Sequence, residues 1–312
     1  MFGELPKLFG RNFAVGFFLP VLLFFTINLI LIGDFFPNSQ FTNLSLTSQI
    51  DFLVGTTILT LISWLFGVLL LAINRDLIRL LEGYGSFNPA RMFGWVEKQR
   101  FKKLQADILE LDDRYSTCIS TNKEFPLELR LKRNNLMREA AERFPDKEYY
   151  LLPTSFGNIV RAFEVYPRVM YGLDAIPGWS RLLSVIPNEY KVLVDDAKAQ
   201  VDFWVNIWLF ALIVLGEYFV FVLNVSQIKS IWFPAVVVCL VIISYLRARS
   251  AAVQWGNLVK AAFDVFLVDL RNKLGFPNPS DKGAEQILWH RFSQAVIYAD
   301  AESLPNRYGI QE

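Results

Sequence analysis

The side chain best placed to do chemistry is Glu217, a carboxylate inside the apolar run 211–225. An ionised group in hydrocarbon is expensive. Intramembrane acids therefore face a bundle interior or a wet cavity and often mark ion or proton paths. Counted from residue 203, however, Glu217 falls in the outer half of its run, where it can reach the headgroup region or pair with Lys229. Glu217 is thus an ion-path candidate with an interfacial alternative. A second constellation is Arg161, Glu164, Arg168, Asp174 and Arg181, interleaved with Tyr166, Tyr171 and Trp179. Arginines beside aromatics can hold phosphates, nucleotides or lipid headgroups. The same residues can equally be ion pairs that stitch a helix-poor segment together. Arg161, Arg168, Arg181 and Asp174 are the candidates for ligand or phosphate binding.

Other chemistries lack parts. His290 is the only histidine, and neither Cys118 nor Cys239 is near it in sequence. The pairs Asp112-Asp113 and Asp195-Asp196 point to different helix faces and make no ready ligand set, so no metal and no cofactor is expected. A histidine-dependent hydrolase would have to use His290, and no G-x-S-x-G elbow occurs. Gly83-Tyr84-Gly85 lacks the third glycine and the strand of a dinucleotide site, and no P-loop is present. The net charge of +1 argues against direct nucleic-acid binding, which needs a basic face. No enzymatic activity is expected.

The elements that must carry these residues are dominated by four apolar stretches, 13–33, 51–73, 203–225 and 231–245. Each approaches the ~20 residues with which a helix crosses ~30 Å of hydrocarbon. The first follows Lys7 and Arg11 like a signal peptide. Its apolar run is too long, and Asp34-Phe35-Phe36-Pro37 offers no small-x-small cleavage site, so a retained signal-anchor is expected. Segment 34–50 has no Lys or Arg, and the turn between the last two stretches has only Lys229. Segment 74–202 carries twenty basic residues, and Arg247 and Arg249 follow the fourth stretch. The positive-inside rule then places both termini and the middle segment in the cytoplasm. Trp204, Trp208 and Trp232 fit aromatic anchoring at the interfaces. Asn43-Leu44-Ser45 and Asn224-Val225-Ser226 match the glycosylation pattern on or near the outer side. Within the spans, Asn28, Thr56, Thr57, Thr60 and Ser63 are expected to bridge helices, and Pro20 to bend the first.

The middle segment reads as helical. Phe101, Leu104, Ile108, Leu111, Tyr115 and Cys118 form an a/d seam of nearly three heptads. Its neighbour is a helix over 126–144, joined through 120–125 into an αα-hairpin. Lys132, Arg133, Arg138, Glu139, Glu142 and Arg143 are expected on that helix's solvated face. Prolines 153, 167, 177 and 187 divide the next stretch into short helices. Thr154 caps one that Pro167 ends near Val165, and Asp174 is a second candidate cap. Asn188 starts a helix running into the third span. The fourth span continues without a breaker from Pro234 to Leu274, where Gly275 and Pro277 stop it, and a last helix covers 281–300.

The expected fold is an all-α membrane protein. Its four transmembrane helices form two hairpins, and long helices continue into a helical cytoplasmic domain. The divisions are 1–12, 13–73, 74–202, 203–246 and 247–312, with the last packing on 74–202.

The segments Pro153-Thr154-Ser155-Phe156-Gly157-Asn158 with Arg161-Ala162, Tyr171-Gly172-Leu173-Asp174, and Trp179 with Arg181-Leu182 form a pattern. So do Val259-Lys260-Ala261-Ala262-Phe263-Asp264, Asp269-Leu270 and Leu274-Gly275. Together they resemble a group of uncharacterised bacterial multi-pass membrane proteins, over about a third of the chain. The resemblance implies a bacterial inner-membrane location and supplies no activity. Three functions are compatible with the sequence. The first is a non-catalytic membrane subunit, an oligomeric scaffold, sensor or effector whose cytoplasmic domain binds a partner. The second is an oligomeric channel or pore-forming effector, of the kind triggered in antiviral defence. The third is an inner-face enzyme acting on lipids or phosphates. The bilayer and either a second copy or a protein partner are the expected contacts.

Overall fold

The computed structural model describes residues 10–35, 49–85, 88–225 and 232–305. The glycosylation-like triplets and Lys229 fall wholly or partly outside the described residues. Among those residues there is no strand, and nine helices follow one another. They are α1 (Arg11–Phe35), α2 (Gln49–Glu82), α3 (Gly94–Ser120), α4 (Leu127–Arg143), α5 (Ser155–Tyr171), α6 (Ala175–Leu182), α7 (Asn188–Val225), α8 (Trp232–Leu274) and α9 (Lys282–Tyr298). Four of them, α1, α2, α7 and α8, are long and apolar enough to cross a membrane. The chain is a multi-pass helical membrane protein. The 43 residues of α8 would extend ~65 Å, about twice the hydrocarbon thickness, so only its apolar part can lie in lipid. The same holds for α2, whose apolar stretch ends at Ile73 and is followed by Arg75, Asp76 and Arg79.

The chain divides into two compact units, residues 1–78 with 195–251 and residues 79–194 with 252–312. The first is the apolar unit. Phe13, Phe17 and Val21 of α1 pack with Leu70 of α2, and Phe24 stacks on Phe210 of α7 at 4.6 Å. Leu31 and Phe35 meet Tyr218, while Ala211 and Val214 meet Val237 of α8. Only 17% of the apolar window of α2 is buried, so Leu53, Ile58, Leu61, Leu65 and Leu69 face outward, as lipid contact requires. Two of the threonines of α2 do not bridge helices as expected. Thr57 and Thr60 donate to carbonyls of Leu53 and Thr56 on their own helix, which satisfies the hydroxyl at no cost in neighbours.

Pro20 has a different effect from the simple bend anticipated. It has no N–H for the Gly16 carbonyl four residues earlier. The preceding turn, Ala14–Phe18, is π-helical, and the Gly16 carbonyl accepts from Asn206 Nδ2 at 2.8 Å. A side chain of α7 thus satisfies the acceptor that proline leaves over.

In the second unit the αα-hairpin forms as its seam requires. Phe101 and Leu104 of α3 are buried with Phe144, against Leu136 and Ala140. Arg133, expected in solvent, instead pairs with Asp112 and lies 5.0 Å over Tyr115, so it fastens α4 to α3. Pro167 does not end α5. The helix runs on to Tyr171 and closes at Gly172, whose φ of +82° is the left-handed conformation of a helix stop. A proline in the last turn removes one hydrogen bond, and the burial of α5 outweighs that loss. Phe156, Ile159, Val160 and Phe163 are all buried, each stabilising by roughly 1.5–3 kcal/mol. Trp289 and Phe292 of α9 pack with Phe276 in a second aromatic cluster.

Candidate functional site

A polar network of the second unit surrounds the start of α5. The Thr154 hydroxyl accepts from Gly157 N at 2.9 Å, the expected N-cap, and donates to the Leu81 carbonyl at 2.8 Å. One hydroxyl therefore starts α5 and ties it to the end of α2. Gly157 permits that approach, because a Cβ there would lie 2.4 Å from the Glu82 carbonyl oxygen. Asn158 is fully buried. Its amide oxygen accepts from Leu152 N at 2.7 Å, and its amide nitrogen donates to Glu97 of α3 at 3.1 Å. Glu97 also accepts from Arg100 at 2.8 Å, so the buried carboxylate is paired.

Arg161 lies one turn beyond Asn158. It donates to the Tyr84 hydroxyl and pairs with Glu164 at 3.2 Å. The Tyr84 ring also lies 5.2 Å below the guanidinium of Arg79. Glu82 sits in the fields of Arg161, Arg79 and Glu164. Burial pushes its carboxyl up to about 7, Glu164 adds to the rise, and the two arginines oppose it. Burial raises Glu164 as well, against the pull of Arg161. Two carboxyls thus lie in the field of one guanidinium, and burial favours the protonated form of each.

Beside this cluster is an open groove of about 800 Å³, lined by Gly83, Tyr84, Gly85, Arg91, Gly94, Lys98, Glu148, Tyr149 and residues 151–153. Its charges are partly spent. Glu148 binds Lys98 at 2.6 Å and Lys102 at 3.6 Å, and the Lys98 hydrogen bond holds its carboxyl below the usual range. Among the described residues, no group of His, Cys, Asp and Glu could hold a metal ion, and His290 is exposed.

The four ligand candidates fall in three separate places. Arg161 belongs to the Glu82 cluster. Arg168 and Asp174 come together at 3.6 Å, and Arg168 also donates to the Tyr150 hydroxyl at 3.1 Å. Asp174 stands at the N-cap of α6 but makes no side-chain cap bond, because its carboxylate serves Arg168. Arg181 donates to the Pro177 carbonyl at 2.9 Å and lies 5.6 Å over Phe292. Tyr166 and Tyr171 both donate to Asp264 of α8, at 2.9 and 2.7 Å. Sequence reasoning missed Glu82, Tyr84 and Glu97, which lie more than sixty residues before Asn158 and share no motif with it. In the apolar unit, Glu217 is half-buried, and its Oε2 is buried without a hydrogen-bond partner. Asn28 Nδ2 donates to the Phe24 carbonyl of its own helix at 3.2 Å.

Comparison of the chain with family models, with curated proteins and with solved structures found no match.

Proposed function

We propose that the chain is a non-catalytic multi-pass subunit of the bacterial inner membrane, with both termini cytoplasmic, whose helical unit binds a protein partner. The observation that carries this reading is the bare loop end of the α3–α4 hairpin. Ile119 near the end of α3, and Leu127 and Leu131 at the start of α4, are 62%, 65% and 54% exposed. Large aliphatic side chains grouped at one end of a helical hairpin suit a protein interface. The polar groups argue the same way. Arg161, Glu164, Arg168, Asp174, Tyr166 and Tyr171 are engaged with one another or with neighbouring helices rather than converging on a cavity. A photo-crosslinking residue at Leu127 is expected to give one discrete adduct in native membranes, and the same residue at exposed His290 none. Equal labelling at both positions, or none at Leu127, contradicts the reading.

A second reading, an oligomeric channel, draws on Glu217 and its buried, unpaired carboxylate oxygen. Four helices rarely enclose a pore alone, so this requires a symmetric assembly. In reconstituted liposomes Glu217→Gln is then expected to change ion preference. Unchanged currents remove Glu217 from the path.

A further inference from the structure

Where α1, α2 and α7 meet, at the ends of their apolar stretches, three polar side chains are buried together. Asn74 is 6% exposed, Asp202 is 4% exposed and Asn206 is fully buried. Asn74 Nδ2 donates to Asp202 Oδ1 at 3.0 Å, and Asn206 Nδ2 donates to the Gly16 carbonyl at 2.8 Å. Each bond fixes the orientation of its amide, because a flip would turn an oxygen toward the carboxylate or the carbonyl. In that orientation Asn74 Oδ1 and Asn206 Oδ1 are both buried without a partner. The elements converge closely. Asp202 and Asn206 are one turn apart on α7, and a Cβ on Gly16 would lie 3.4 Å from Asp202 Cβ.

Every unspent group in this cluster is an oxygen. These are the two amide oxygens, and beside them are the Asp202 carboxylate and the Gly16 carbonyl, the latter at a π-helical turn, a geometry often found at functional sites. Unpaired buried acceptors call for a donor or a cation. Irregular backbone carbonyls beside a carboxylate are a usual cradle for an alkali ion in membrane helices. With only one carboxylate, the set suits a monovalent ion better than a divalent one, which recruits more acids. The resident counter-ion is Lys198, whose ammonium lies 2.8 Å from both carboxylate oxygens of Asp202. Its side chain is 36% exposed, so the ammonium has a route away from the carboxylate.

We propose that Asn74, Asp202, Asn206 and the Gly16 carbonyl form a binding site for an alkali cation that exchanges with the Lys198 ammonium. A bound ion would join α1, α2 and α7, and the carboxylate keeps one counter-ion while the Lys198 ammonium, still charged, swings toward solvent. The inference is independent of the partner surface on the hairpin.

The test uses the full chain in lipid nanodiscs. The thermal midpoint is followed by tryptophan fluorescence in sodium, potassium or choline chloride at constant ionic strength. Sodium or potassium is expected to raise the midpoint saturably by several degrees over choline, since a ligand that binds only the folded state stabilises it. Lys198→Ala removes the competitor and is expected to lower the half-saturating concentration at least tenfold. Asp202→Asn is expected to abolish the dependence. Equal midpoints in all three salts, for both wild type and Lys198→Ala, overturn the proposal and leave the two amide oxygens to water. Should Asp202→Asn fail to fold, the Lys198→Ala titration decides alone.

Discussion

Gly157→Ala is expected to destabilise the helical unit by about 3 kcal/mol, toward the upper end of overpacking costs. The added methyl would lie 2.4 Å from the Glu82 carbonyl oxygen and 2.9 Å from Thr154 Oγ1. The first is backbone at the end of α2, so relief requires α5 to move away from it. That movement stretches the Thr154 hydrogen bond to Leu81 and disturbs Asn158, whose amide joins Leu152 and Glu97. Gly216→Ala is the control, because no atom lies within 4 Å of a Cβ there and alanine is the better helix former. Thermal unfolding followed by near-ultraviolet circular dichroism checks the pair. A large fall in midpoint for Gly157→Ala beside an unchanged Gly216→Ala is the expected result. Equal midpoints would mean that α2 and α5 are not in contact at this point.

Glu82→Gln is expected to stabilise the protein at alkaline pH, by an amount that vanishes in acid. The folded state raises this carboxyl from 4.5 to about 7, chiefly through burial. Below pH 4.5 the group is protonated in both states and costs nothing. Between 4.5 and 7 the unfolded chain has released its proton while the folded chain still holds it, so stability falls as pH rises. Above 7 the full penalty is present, about 3 kcal/mol at ~1.36 kcal/mol per unit. Glutamine keeps the shape and removes the charge. The wild-type and variant midpoints should therefore converge near pH 4.5 and separate above 7. Parallel curves across that range would contradict the burial of the Glu82 carboxyl.

The legible part of this fold was the part written in local pattern. Apolar length located α1, α2, α7 and α8. Three-and-four spacing located α3 and its seam, and the cap residue Thr154 started α5 where its side chain bonds the backbone. Gly275, with φ of +73°, ended α8. Proline misled twice because its effect depends on what else can satisfy the backbone. Pro167 was absorbed by the burial of α5, and Pro20 by a donor on α7, 190 residues from Gly16 in sequence. Arg133 was misplaced in solvent because its partner Asp112 lies on another helix. The Glu82 and Asp202 clusters were invisible for the same reason. Each gathers residues from separate helices, and no spacing within one segment signals such a meeting.

Native mass spectrometry of the protein extracted gently from its own membrane tests the proposed role most directly, with a Leu127→Arg, Leu131→Arg double variant run beside it. Buried arginines at an apolar interface are strongly disfavoured, while on a free surface these changes should be nearly neutral for folding. The expected result is a stoichiometric complex, with a second copy or another chain, that the double variant loses while retaining its thermal midpoint. A wild-type chain that is monomeric, or a complex that survives the double variant intact, would contradict a partner-binding subunit that works through the α3–α4 hairpin.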